Sequence, residues 1–192
     1  MGSCESVLPL TSVPGREITT DTLLLAELAG DVPCRVCFDL GTGTGEVLKN
    51  ADLYGGSCVF SVGIDVSFEA LKKFDKAFGQ PVNCSVEMVS SVFTGGCADL
   101  VLANPPYNTA GKGRPSPDST RREAREGDSL LVYRFIFAGA YLLEPGGCMI
   151  ITGRPAAMSI TETGMRAAGF CRLERFEKQG VSAVKAFLPR KP

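Results

Sequence analysis

Arg35 to Leu40 is a short apolar run that passes straight into Gly41-Thr42-Gly43-Thr44-Gly45, and a helical pattern follows from Gly45 to Leu53. A strand that turns on glycines into a helix lays that helix back across a sheet, so the next strand runs parallel to the first. The chain then repeats the alternation. Cys58 to Val66 reads as a strand, and Phe68 to Phe78 as a helix with Ala70, Leu71, Phe74 and Phe78 on its apolar side. Val82 to Val86 is a weaker strand, Asp99 to Ala103 a stronger one, and a polar loop runs from Tyr107 to about Arg121. Leu130 to Leu143 is a strongly apolar helix, Cys148 to Thr152 a strand, and Ala156 to Ala168 a helix stopped by Gly169. Two closing strands, Cys171 to Phe176 and Ser182 to Leu188, are separated by Lys178-Gln179-Gly180. Before all of these, Thr19-Thr20-Asp21 caps a short helix over Thr22 to Ala29. Residues 1–18 read as irregular, broken by Pro9, Pro14 and Gly15. The pattern predicts an α/β domain spanning 1–192: a seven-stranded, mostly parallel sheet with an antiparallel edge and helices on both faces.

Composition sets outer limits. A chain of 192 residues buries a full core without staples, and 44% hydrophobic with 21% charged residues is ordinary for a globular protein. No apolar stretch approaches the ~20 residues of a membrane span. Met1 to Leu10 has no basic start followed by an apolar core, so the expectation is a cytoplasmic protein without a signal peptide. There are eight cysteines and no histidine. Cys34, Cys37, Cys58, Cys84, Cys148 and Cys171 fall in or beside strand-like runs. Cys34-Arg35-Val36-Cys37 has metal-ligand spacing but no second such pair, so the expectation is reduced core thiols and no metal.

The net charge of −1 argues against a protein that coats nucleic acid, yet Lys112, Arg114, Arg121, Arg122 and Arg125 outnumber Asp118, Glu123 and Glu126 between Gly111 and Glu126. That segment is either a solvated loop and helix start or a surface for phosphates.

In an open α/β sheet, ligands bind beyond the C-terminal ends of the strands, where the winding reverses. Gly41, Thr42, Gly43 and Gly45 lie at such an end, and glycine there lets a nucleotide-like ligand approach the backbone. Asp39 can face a cationic group of that ligand, or else cap the turn. Asp65, at the end of the second strand, lies about 20 residues past the last glycine, where a carboxylate accepts from both ribose hydroxyls. Its alternative is an N-cap of the next helix. The glycines alone would also suit a nicotinamide dehydrogenase, but nothing downstream supplies a hydride-transfer site.

Asp99 to Ala103 ends in Asn104-Pro105-Pro106-Tyr107. The Asn104 side-chain oxygen and the Pro105 carbonyl can each accept one N–H of a planar nitrogen, which frees its lone pair as positive charge develops. Pro105 restricts Asn104 to extended dihedrals and Pro106 does the same to Pro105, so the carbonyl is aimed. Tyr107 offers a stacking face for a flipped-out base or a flat amide. A plain strand-terminating turn is the alternative. The two ends together read as an S-adenosylmethionine-dependent methyltransferase acting on an amide or exocyclic amine nitrogen.

Asp39-x-Gly41-x-Gly43-x-Gly45 followed by Asn104-Pro105-Pro106-Tyr107 resembles the class I methyltransferases that modify adenine N6 or the glutamine of release factors. Gly111-Lys112-Gly113-Arg114-Pro115-Ser116-Pro117-Asp118, Arg121 and Ala124-Arg125-Glu126 are similar to the bacterial tRNA (adenine-N6) methyltransferases that act beside the anticodon of valine tRNA. Thr19 to Ala26 and Leu143 to Gly147 resemble that family's first helix and pre-strand turn. The histidine usual between the positions of Arg125 and Glu126 is missing. The resemblance implies a Rossmann-like class I methyltransferase fold, with S-adenosylmethionine as cofactor and tRNA as substrate. A release factor is the alternative substrate, and a partner subunit stays open. It implies cofactor contacts from Asp39, Gly41, Thr42, Gly43, Gly45, Asp65, Val66 and Asn104, with Ser85 or backbone groups meeting the adenine because Cys84-Ser85-Val86 lacks the usual acidic or amide residue. Asn104, Pro105, Pro106 and Tyr107 become catalytic, and Lys112, Arg114, Arg121 and Arg125 bind substrate from a loop at 107–126. A degenerate cofactor-binding module without catalysis is a further reading.

Overall fold

The computed structural model describes residues 18–56, 58–106 and 119–191, with 119–128 as backbone only. Thr19 caps the first helix, α1 (Thr20–Gly30), its side chain accepting from the Thr22 N–H. There follow β1 (Val36–Leu40), α2 (Glu46–Leu53), β2 (Phe60–Asp65), a short α3 (Phe68–Leu71), β3 (Gln80–Asn83) and α4 (Val89–Val92). The second half is β4 (Ala98–Ala103), α5 (Ser119–Leu142), β5 (Leu143–Gly153), α6 (Met158–Ala167), β6 (Arg172–Lys178) and β7 (Val181–Phe187). The seven strands form one sheet in the order β3-β2-β1-β4-β5-β7-β6. β7 runs antiparallel to both β5 and β6, which makes the antiparallel edge. Winding goes outward through β2 and β3, then returns to β4 beside β1. The reversal therefore falls between β1 and β4, where Leu40 stands opposite Ala103.

Alternation along the buried strands divides the core in two. Phe38, Leu40, Val101, Ala103, Met149 and Ile151 pack with Phe135, Ile136 and Met165 of α5 and α6. Leu100, Leu102 and Ile150 face Leu25, Leu28, Val47 and Leu48 of α1 and α2. Each fully buried aliphatic side chain contributes about 1.5–3 kcal/mol. Among the described residues no helix is long and apolar enough to cross a membrane.

Four expectations change. The helix expected over Phe68 to Phe78 is α3 plus a 3-10 turn at Lys76–Phe78, because the Asp75 side chain accepts from the Ala77 N–H and starts a new turn. The third strand, expected over Val82 to Val86, runs instead over Gln80–Asn83. The helix expected from Leu130 begins at Ser119, so the segment at 107–126 is partly helical. Finally, Cys34 and Cys58 are not separate reduced thiols: they form a disulfide, with Cα atoms 5.0 Å apart. Cys37, Cys84 and Cys148 are the buried free thiols expected of a core, whereas Cys97 and Cys171 are exposed.

Candidate active site

The turn after β1 is built for close approach. Gly41, Gly43 and Gly45 all have positive φ. At Gly43 a side chain would meet nothing within 4 Å, so its Cα faces open space. At Gly45, the N-cap of α2, a Cβ would sit 2.7 Å from the Phe74 ring. Phe74, buried beneath this turn and Gly63, is thus part of the scaffold of the site. The turn hangs on β2 through bonds from the Gly41 and Thr42 N–H groups to the Ile64 carbonyl.

Two carboxylates border the turn. Asp39 is 1% exposed, and the Thr42 hydroxyl donates to its Oδ2 at 2.6 Å. Burial pushes the Asp39 carboxyl up to about 7; the Thr42 bond works against this and the nearby Asp65 charge works with it. Asp65 is oriented by backbone donors, Gly43 N–H to Oδ2 at 2.8 Å and Ser67 N–H to Oδ1 at 2.7 Å. Each oxygen keeps a lone pair for another donor. The N-cap of α3 is Ser67, not Asp65. Val66 beside it is 70% exposed.

The third strand supplies an amide after all. It ends at Asn83, whose Nδ2 donates to the Asp65 and Val66 carbonyls at 2.9 and 3.0 Å and so ties the ends of β2 and β3. Ser85 follows at the same end of the sheet, and it is among the groups that hold the Glu87 carboxyl below its usual range.

Across the switch point, β4 is followed by Asn104, Pro105 and Pro106, with Pro105 buried and Pro106 exposed. The Thr152 hydroxyl, 1% exposed, donates to Asn104 Oδ1 at 2.9 Å. Ala103 pairs with Ile151, so Thr152 is the β5 residue level with Asn104. No motif marks Thr152 in the sequence; only strand register finds it.

The structure therefore brings together Asp39, Gly41, Thr42, Gly43, Gly45, Asp65, Val66, Ser85, Asn104 and Pro105 at the C-terminal ends of β1 to β4. Tyr107, Lys112 and Arg114 lie outside the described residues. Arg121 and Arg125 lie on the first turns of α5, where only the backbone is described. The arrangement offers two acidic groups and the first-turn amides of α2 beside Asn104 and Pro105, which suits a ligand with cationic, ribose and carboxylate parts.

No protein-family profile and no curated relative match the sequence. Solved structures do match in fold. TrmN from Thermus thermophilus superposes with a TM-score of 0.63 at 20% identity, over 88% of this chain and 48% of that one. Ribosomal protein L11 methylase from Lactobacillus delbrueckii subsp. bulgaricus gives 0.63 at 16% identity, over 88% and 77%. The T. thermophilus 16S rRNA N2 G1207 methyltransferase RsmC, solved with AdoMet and guanosine, gives 0.62 at 18% identity, over 90% and 44%. The chain thus spans about half the length of the TrmN and RsmC chains. At these identities the likeness is one of fold, and the fold is that of the Rossmann-like class I methyltransferases.

Proposed function

We propose that this chain is an S-adenosylmethionine-dependent N-methyltransferase and that its substrate is adenine N6 of a tRNA. One observation carries the reading. Asn104 and Pro105 end β4 directly across the topological switch from the glycine turn of β1, and Thr152 holds the Asn104 amide in place. When bound, S-adenosylmethionine supplies a methyl group already activated by its sulfonium charge.

The chain's own residues supply binding, position and charge. Asp65 accepts from the ribose hydroxyls with the lone pairs its backbone donors leave free, Asp39 balances the ammonium, and the open space above Gly43 admits the ligand. Asn104 Oδ1, already accepting from Thr152, has a second lone pair for one N–H of the target amine; the Pro105 carbonyl takes the other. Both acceptors favour nitrogen as it becomes positive, so they act in the transition state rather than on the resting substrate. The resemblance to tRNA methyltransferases and the cation-rich stretch that includes Arg121 and Arg125 support an RNA substrate.

Asn104→Ala tests this directly. Methyl transfer should fall to background while cofactor affinity, measured by calorimetry, stays within a few-fold. Comparable turnover by the variant would remove the proposed mechanism.

A further inference from the structure

A second chemical cluster lies at the opposite end of the sheet. The β1–β2 register sets Val36 opposite Phe60, and carried back two residues it sets Cys34 opposite Cys58. Cys37, inside β1, brings a third sulfur: the Sγ atoms of Cys34, Cys37 and Cys58 all lie within 4.8 Å of one another. A disulfide uses two of them, and the third, the buried free thiol of Cys37, lies beside it. Cys37 is 1% exposed, whereas Cys34 and Cys58 are partly exposed and Cys58 lines an open hollow at the starts of β2 and β3.

We propose that in the reduced chain Cys34, Cys37 and Cys58 bind a zinc ion, with water in the fourth position. Zinc–thiolate bonds of about 2.3 Å place tetrahedral ligands about 3.8 Å apart. Of the three sulfurs, none more than 4.8 Å from another, the bonded Cys34 and Cys58 pair must part to about 3.8 Å, while any wider gap to Cys37 closes by at most about 1 Å. Those movements fall on Cys34 and Cys58, which lie outside the strands, while Cys37 is fixed by the sheet. Three thiolates select a soft cation over magnesium or calcium, and the solvent-facing side at Cys34 and Cys58 leaves room for the water. Before the ion can bind, the Cys34–Cys58 bond must open; a dithiol gives two electrons and two protons and closes to its own disulfide. Each thiol then releases its proton on binding zinc. The site lies at the end of β1 away from the glycine turn and Asn104, with Cys37 two residues before Asp39, and the ion would clamp β1 to β2. Spacing alone misses it, because only Cys34-x-x-Cys37 is visible as a ligand pair.

The test is zinc titration of the full chain, reduced under anaerobic conditions, against a chromophoric chelator. One zinc per chain is expected, with affinity falling at least about 100-fold in Cys34→Ser, Cys37→Ser and Cys58→Ser and unchanged in Cys171→Ser. The Cys37→Ser variant keeps the pair that forms the disulfide, so it separates a metal site from a disulfide alone. In the unaltered chain, zinc should protect the partly exposed Cys34 and Cys58 from alkylation, read by mass spectrometry, and leave Cys97 and Cys171 reactive. No zinc bound by the reduced chain, binding that survives Cys37→Ser, or equal alkylation with and without zinc would overturn the proposal.

Discussion

Asp39 shows most plainly how packing sets chemistry at the scale of one residue. Its folded-state value of about 7 lies above the ordinary 3.8, so the folded chain holds a proton there that the unfolded chain has released. The stability this residue contributes is complete below about pH 4, declines as pH rises to about 7, and is flat above. The gain in stability of Asp39→Asn over the parent chain should therefore grow between about pH 4 and pH 7, measured by urea unfolding without ligand. In the proposed cofactor site the ionised form is the one that binds a cation. Affinity for S-adenosylmethionine should rise up to about tenfold per pH unit below 7 and level off above it, and Asp39→Asn should flatten the profile. Affinity that falls with pH over this range would contradict the assignment. Thr152 acts one step back, through Asn104. Thr152→Val keeps the shape and removes the donor, so kcat should drop about tenfold with cofactor affinity unchanged. An unchanged kcat would leave Thr152 a purely structural residue.

At the scale of elements, the glycine turn depends on what lies under it. Gly45→Ala places a side chain at φ 83 and against the Phe74 ring. The backbone part alone costs about 1–2 kcal/mol. Chemical denaturation should show at least that loss, and a cycle with Phe74→Ala should show less than additive destabilisation. Additive losses would mean that the contact plays no part. Elements were legible in the sequence where apolar periodicity was strong. β1, β2, β4 and α2 lie within a residue or two of the runs that predict them. Where polarity hides structure the sequence is silent: Ser119 to Glu126 carries good helix formers but no apolar stripe, so the start of α5 could not be seen. β5 starts at Leu143, through Pro145, Gly146 and Gly147, because the register with β4 slips between Ala98 and Leu100; turn residues gave the opposite signal. Asn83, Thr152 and the Cys34–Cys58 pairing share one cause of invisibility. Each is fixed by strand register, which no local pattern encodes.

The whole molecule is polar along its strands. The C-terminal ends carry Asp39, Asp65 and Asn104, and toward the N-terminal ends lie the Cys34–Cys58 disulfide and the Cys37 thiol. With a net charge of −1, affinity for the proposed RNA substrate would come from a local surface. Removing Arg121 and Arg125 together should lower the slope of log affinity against log salt for tRNA by about 1–2, and an unaltered slope would return this segment to a solvated helix start.

The measurement that tests the central claim most directly is transfer of a labelled methyl group from S-adenosylmethionine to parallel pools of unmodified tRNA, ribosomal RNA, DNA and a release factor. An adenine-N6 methyltransferase of tRNA should place the label in tRNA that digests to N6-methyladenosine. Label confined to the release factor, or none in any pool while the cofactor binds, would contradict it.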